Sequence, residues 1–149
     1  MKKDVLILII RMLLILLFLY ASFSKIFDIE GFKNSMQKQP FPHWMSNILL
    51  FLVPASEIYL SILLLREKSW KIGMVYSSIL MGLFTLYIAA VLLHFFRFVP
   101  CSCGGVIKLL TWQQHLIFNL FFLSIAIIGC AIKIHPNEGA SRSKRQLSI

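Results

Sequence analysis

The chain has 149 residues, room for one domain, and 58% of them are hydrophobic against 14% charged. Globular chains carry roughly a quarter charged residues, and a mean hydropathy of +0.81 leaves too few polar groups to cover a water-exposed surface. A soluble enzyme, a disordered tail and a disulfide-stapled miniprotein are excluded; an integral membrane protein remains. The net charge of +9 does not point to nucleic acid. Its lysines and arginines sit in short clusters between apolar runs, the pattern that orients a membrane protein, and form no contiguous basic face.

A hydrocarbon core of about 30 Å needs roughly 20 apolar residues in a helix. Four segments meet that need, at about 5–23, 48–65, 72–96 and 116–132. They predict an all-α, four-helix membrane bundle over residues 1–135, followed by a basic, disordered tail over 136–149. Trp44, Trp70 and Trp112 each precede a span by a few residues, the depth at which indole meets headgroups. The first span follows Met1-Lys2-Lys3 as a secretory signal would. Its length, the interrupting Arg11 and the poor cleavage site Tyr20-Ala21-Ser22 predict a retained span instead.

Orientation comes from Lys and Arg on the two sides. Lys2, Lys3, Arg66, Lys68, Lys71, Lys133, Arg142, Lys144 and Arg145 lie on one side; Lys25, Lys33, Lys38, Arg97 and Lys108 lie on the other. Nine against five predicts both termini in the cytoplasm, so that the loops 24–47 and 97–115 face outward from an inner membrane. In the first of these, Ile29, Phe32 and Met36 recur at helical spacing behind a candidate N-cap, Asp28, and Pro40 and Pro42 end the pattern. A short amphipathic helix on the membrane surface fits it; so does an irregular loop with scattered apolar residues.

Two ionisable residues fall inside spans, where a charge costs at least about 2.5–3.5 kcal/mol on insertion scales. Arg11 lies about 9 Å from the inner boundary and Glu57 about 12 Å at the helical rise of 1.5 Å per residue. Antiparallel neighbours would set them side by side. The expected arrangement is a structural Arg11–Glu57 ion pair fixing the register of the first two spans; the functional alternative for Glu57 is a proton- or quinone-binding carboxylate.

The strongest chemical signal is Pro100-Cys101-Ser102-Cys103-Gly104-Gly105, between spans three and four. Cysteines one residue apart close a small, strained ring whose disulfide exchanges readily, which suits a redox pair better than a clamp. Arg97 and Lys108 favour the thiolate, and an outward location permits oxidation. Inert thiols are one alternative. A metal site drawing on Cys101, Cys103, His94 and His115 is another, although single-residue cysteine spacing departs from the usual zinc pattern. His115 and Asn119, four apart, share a helix face, expected to turn toward the cysteine loop; His115 is the candidate for acid–base assistance. Cys130 lies about 22 Å deeper than His115 and reads as a buried small hydrophobe.

Arg11 in the first span, Phe23-Ser24-Lys25-Ile26-Phe27-Asp28 followed by Phe32, Glu57 after Pro54, and the late Pro-Cys-x-Cys-Gly-Gly together resemble the MauE/DoxX-like family of redox-associated four-helix membrane proteins over roughly residues 5–135. The resemblance implies an inner-membrane protein supporting disulfide formation or electron transfer outside the membrane. The partner it implies is an extracytoplasmic thioredoxin-like protein, and the client a disulfide-rich subunit of an amine dehydrogenase, as in methylamine utilisation. It places the redox role on Cys101 and Cys103, as a component of a thiol–disulfide oxidoreductase. With one cysteine pair and no visible electron outlet, a partner dithiol or a bound quinone must carry electrons onward. The competing readings are a non-catalytic anchor or subunit of a quinone-linked redox enzyme and a metal-binding membrane protein.

Overall fold

The computed structural model describes residues 2–95 and 111–134. They form five helices: α1 (Lys2–Phe27), α2 (Ile29–Gln37), α3 (His43–Leu65), α4 (Trp70–Leu92) and α5 (Trp112–Ile134). Four of these are long and apolar enough to cross a bilayer. At 1.5 Å per residue the shortest of the four spans about 35 Å, more than the hydrocarbon thickness.

The helix limits depart from the hydropathy pattern for local reasons. α1 continues past Phe23 to Phe27, because nothing in Ser24-Lys25-Ile26 breaks a helix, and Lys25 thereby becomes a helical residue. α4 stops at Leu92 rather than near residue 96. His94 takes φ of 59°, and the backbone N–H of Phe95 bonds Ala90 O while that of His94 bonds Val91 O. This double capping of the last carbonyls normally recruits glycine at the left-handed position. α5 opens on a reciprocal capping box: Thr111 N–H donates to Gln114 Oε1 at 3.0 Å, and Gln114 N–H donates to Thr111 Oγ1 at 3.3 Å.

Of the two readings of the first connection, a helix and not an irregular loop is present. The Asp28 carboxylate accepts from Gly31 N–H at 3.2 Å, satisfying one of the orphan donors of the first turn. Phe32 and Met36 are buried against Leu50 of α3, flanked by Leu49 and Val53, whereas Ile29 is exposed. α2 therefore docks on the bundle.

The main core joins Ile10, Leu14 and Phe18 of α1 to Leu60 and Leu64 of α3, Met74 and Met81 of α4, and Ala126 of α5. Large apolar side chains such as Leu16, Phe51, Leu86 and Ile117 face outward, as a lipid-facing surface requires. Close helix approach depends on glycine at two points. A Cβ on Gly73 would stand 3.1 Å from both Leu63 Cβ and Leu64 N, and one on Gly129 would stand 3.0 Å from Met74 Sδ. Small interfacial residues of this kind let membrane helices come together. Buried hydroxyls mostly satisfy themselves within their own helices: Ser61 bonds Glu57 O, Ser77 bonds Gly73 O and Thr85 bonds Met81 O.

Candidate functional site

Lys25 occupies the last turn of α1. Helical side chains lean toward their own N-terminus, so its ammonium is directed back into the bundle. There Lys25 Nζ donates to Glu57 Oε1 at 2.7 Å and to Ala21 O at 3.2 Å, and it stands 6.0 Å from the ring centroid of Phe32 on α2. Both charged side chains are almost fully buried, Lys25 at 7% exposure and Glu57 at 2%. Glu57 Oε2 is buried with no hydrogen-bond partner among the described residues.

α5 brings two more polar side chains to the same place. His115 and Asn119 are buried and, with Lys25 and Glu57, line a cavity of about 40 Å³ whose wall also includes Leu17, Phe18, Met81 and Phe84. Their shared face turns into the bundle, toward this cavity. The four-residue spacing does put both side chains on one face, and α5, which begins at Trp112, places His115 in the packed interior.

The expected Arg11–Glu57 pair does not form. Arg11 reaches the C-terminal end of α3, where Nε and Nη2 donate to Leu64 O at 3.0 and 2.8 Å and Nη2 also to Leu65 O at 3.3 Å. Nη1 meets Glu67 Oε1 at 3.0 Å, an exposed partner, and the guanidinium lies 5.5 Å from the ring centroid of Trp70. Side-chain direction again decides. Arg11 leans toward the N-terminus of α1, which lies beside the end of the antiparallel α3, and the carbonyls there have no helical donors and carry the negative end of the dipole. Glu57 is about 10 Å back along α3 from Leu64, within reach of Lys25 from the other direction. Depth arithmetic on Cα positions missed this because both basic side chains are long and lean the same way.

Hydropathy alone assigns Lys25 to the outer loop, whereas the structure makes it helical and buried. Its signal was present: a lysine within one turn of an apolar span, with no helix breaker between. Removing it from the outer loops leaves four basic residues there against nine, the same direction of bias as before. His94 is exposed at the capped end of α4, apart in role from the buried His115. Among the described residues no three His, Cys, Asp or Glu side chains gather as a metal site would require. Cys130 is partly buried beside the core, its Sγ 3.6 Å from Ser78 Oγ. Cys101 and Cys103, with their flanking Arg97 and Lys108, and the tail over 136–149 lie outside the described residues.

A helical protein with four segments able to cross a membrane and a buried lysine–glutamate pair between two of them is a multi-pass membrane protein with an interior polar site. The family model described as methylamine utilisation protein MauE matches residues 3–132, nearly all of the chain, and the chain belongs to that family. Neither a curated protein nor a solved structure matches it.

Proposed function

We propose that the chain is an inner-membrane thiol–disulfide exchange component, with both termini in the cytoplasm and Cys101 and Cys103 on the outer side. The observation that carries this reading is the Pro-Cys-x-Cys-Gly-Gly run of 100–105 within a membrane protein of the MauE family. One cysteine thiolate attacks a disulfide of an extracytoplasmic thioredoxin-like partner, forming a mixed disulfide and releasing one partner thiolate. The second cysteine then attacks the mixed bond. The products are a Cys101–Cys103 disulfide and a reduced partner; two electrons move to the partner, and the two cysteines give up their protons. The reverse sequence returns the pair to the dithiol. The family is described by methylamine utilisation, and a disulfide-bearing amine dehydrogenase subunit is the client that fits the proposed chemistry.

Single Cys101→Ser and Cys103→Ser variants test it, because a lone cysteine cannot resolve the mixed disulfide. One of the two is expected to accumulate a covalent adduct whose partner, identified by mass, carries its own dithiol. If neither variant forms an adduct, and the wild-type pair does not change state between oxidising and reducing conditions, the thiol reading is wrong.

A further inference from the structure

The Lys25–Glu57 pair is only half satisfied. Glu57 accepts from Lys25 through Oε1, while Oε2 is buried without a partner among the described residues. A buried acceptor left unbonded costs about 1–3 kcal/mol, more for a charged group. The cavity beside it has about 40 Å³, against the roughly 300–1,000 Å³ of sites that hold drug-sized ligands, so a quinone ring is too large. Water is not: an internal water needs about 10–15 Å³ of such space and two to four polar partners. Glu57, the remaining N–H of Lys25 and the Asn119 amide supply those partners.

We infer that this cavity is a hydrated proton-binding site, in which internal water donates to Glu57 Oε2 and delivers a proton to and from the carboxylate. On uptake an O–H bond forms at Oε2 and one breaks in the donating hydronium, leaving water; no electrons move. The carboxylate can accept the proton without stranding its partner, because the Lys25 ammonium has two supports of its own, Ala21 O at 3.2 Å and the Phe32 ring at 6.0 Å. Among the described residues no second cation pairs with Glu57. The groups facing it are Lys25 from α1 and His115 from α5, while α4 contributes only Met81 and Phe84 to the cavity wall and the charged Glu30 and Lys33 of α2 are exposed. Toward the chain termini, Leu14, Phe18, Leu60, Leu64 and Met81 form the dry core. Exchange therefore proceeds with the end of the bundle that carries α2. The site stands independently of the cysteine chemistry.

Infrared spectroscopy of the whole protein in lipid nanodiscs, with ¹³C-carboxyl glutamate incorporated, tests the inference. Expected is a labelled, protonated-carboxyl C=O band that titrates with bulk pH and shifts promptly on transfer to D₂O. It should persist in the Cys101→Ser/Cys103→Ser protein and vanish in Glu57→Gln. Glu57→Asp serves if the amide does not fold, since it keeps an acid but removes the label. No such band at any pH that preserves the helices, or a band unmoved after hours in D₂O, overturns the hydrated proton site while leaving the thiol reading untouched.

Discussion

Charge substitution separates the two ways in which Glu57 can be paired. Lys25→Met strips the 2.7 Å bond from Oε1 and leaves a buried carboxylate with neither oxygen bonded within the described residues; removing one member of a buried pair costs about 3–5 kcal/mol. Glu57→Gln falls at the lower end of that range, since Lys25 keeps Ala21 O and the Phe32 ring. Lys25→Met/Glu57→Gln removes both charges, and neutral replacement of a buried pair is often nearly neutral in stability. The double variant is therefore expected at least about 2 kcal/mol better than the sum of the singles. Arg11→Glu/Glu57→Arg should do the opposite. It aims a carboxylate at the carbonyls of Leu64 and Leu65 and sets a guanidinium against Lys25, so it is worse than either single change. Cys130 supplies the assay. In a Cys101→Ser/Cys103→Ser background it is the last of three cysteines, packed beside the core, and a thiol-reactive dye reports its exposure on heating. Single losses of this size correspond to shifts on the order of ten degrees. A charge swap that restores the wild-type labelling temperature, or a neutral double variant that is merely additive, would refute the assignment of Glu57 to Lys25.

The other predictions concern the remaining contacts. Arg11→Met should destabilise by about 1–3 kcal/mol by leaving the α3 carbonyls without donors, whereas Glu67→Gln, at a partner 80% exposed, should cost less than about 1 kcal/mol; thermal melts of the two variants compare them. Gly129→Val should overpack against Met74 and Ile10 and lower stability by about 1–3 kcal/mol. Gly82→Ala meets no atom within 4 Å and should be neutral or slightly stabilising by helical circular dichroism melts. Phe32→Ala should release α2 from α3 without unfolding the long helices, speeding tryptic cleavage at the exposed Lys33 and Lys38. Cleavage in sealed, right-side-out vesicles additionally reports whether that end faces outward.

Hydropathy carries far in this chain because a bilayer demands long apolar runs, and all four spans were legible to within a few residues. What composition could not reveal was which polar groups meet. A window average ends the first span at Phe23, and that assigns Lys25 to water although its side chain leans back into the bundle. The same blindness produced the Arg11–Glu57 expectation: both residues were recognised as costly, and only side-chain direction shows that each had another partner. His115 and Asn119 were correctly placed on one face, but periodicity fixes relative orientation on a helix and not which neighbour the face meets. The capped end of α4 was hidden for a different reason, since His94 occupies a backbone position that sequence patterns associate with glycine.

The location of these polar bonds explains how α1 finds α3. Lipid tails are as apolar as leucine, so burial of apolar surface gives membrane helices little reason to choose one neighbour over another. Along the α1–α3 seam, three polar contacts at different depths make that choice. Arg11 holds Leu64 O and Leu65 O at one end, Ser22 Oγ donates to Pro54 O at 3.2 Å further along, and Lys25 meets Glu57. Three contacts spread over the fifteen residues of α1 from Arg11 to Lys25 fix register as well as partner, because sliding one helix by a turn breaks all three together. α4 and α5 meet differently, through Gly129 against Met74 and the Ser78–Cys130 contact, a seam of close packing with little charge. The α1–α3 pair is therefore the part of the bundle whose geometry is set by specific atoms, and α5 brings His115 and Asn119 to that fixed half. A protonatable carboxylate placed there keeps its position when its charge changes, since Arg11 and Ser22 hold the register without it.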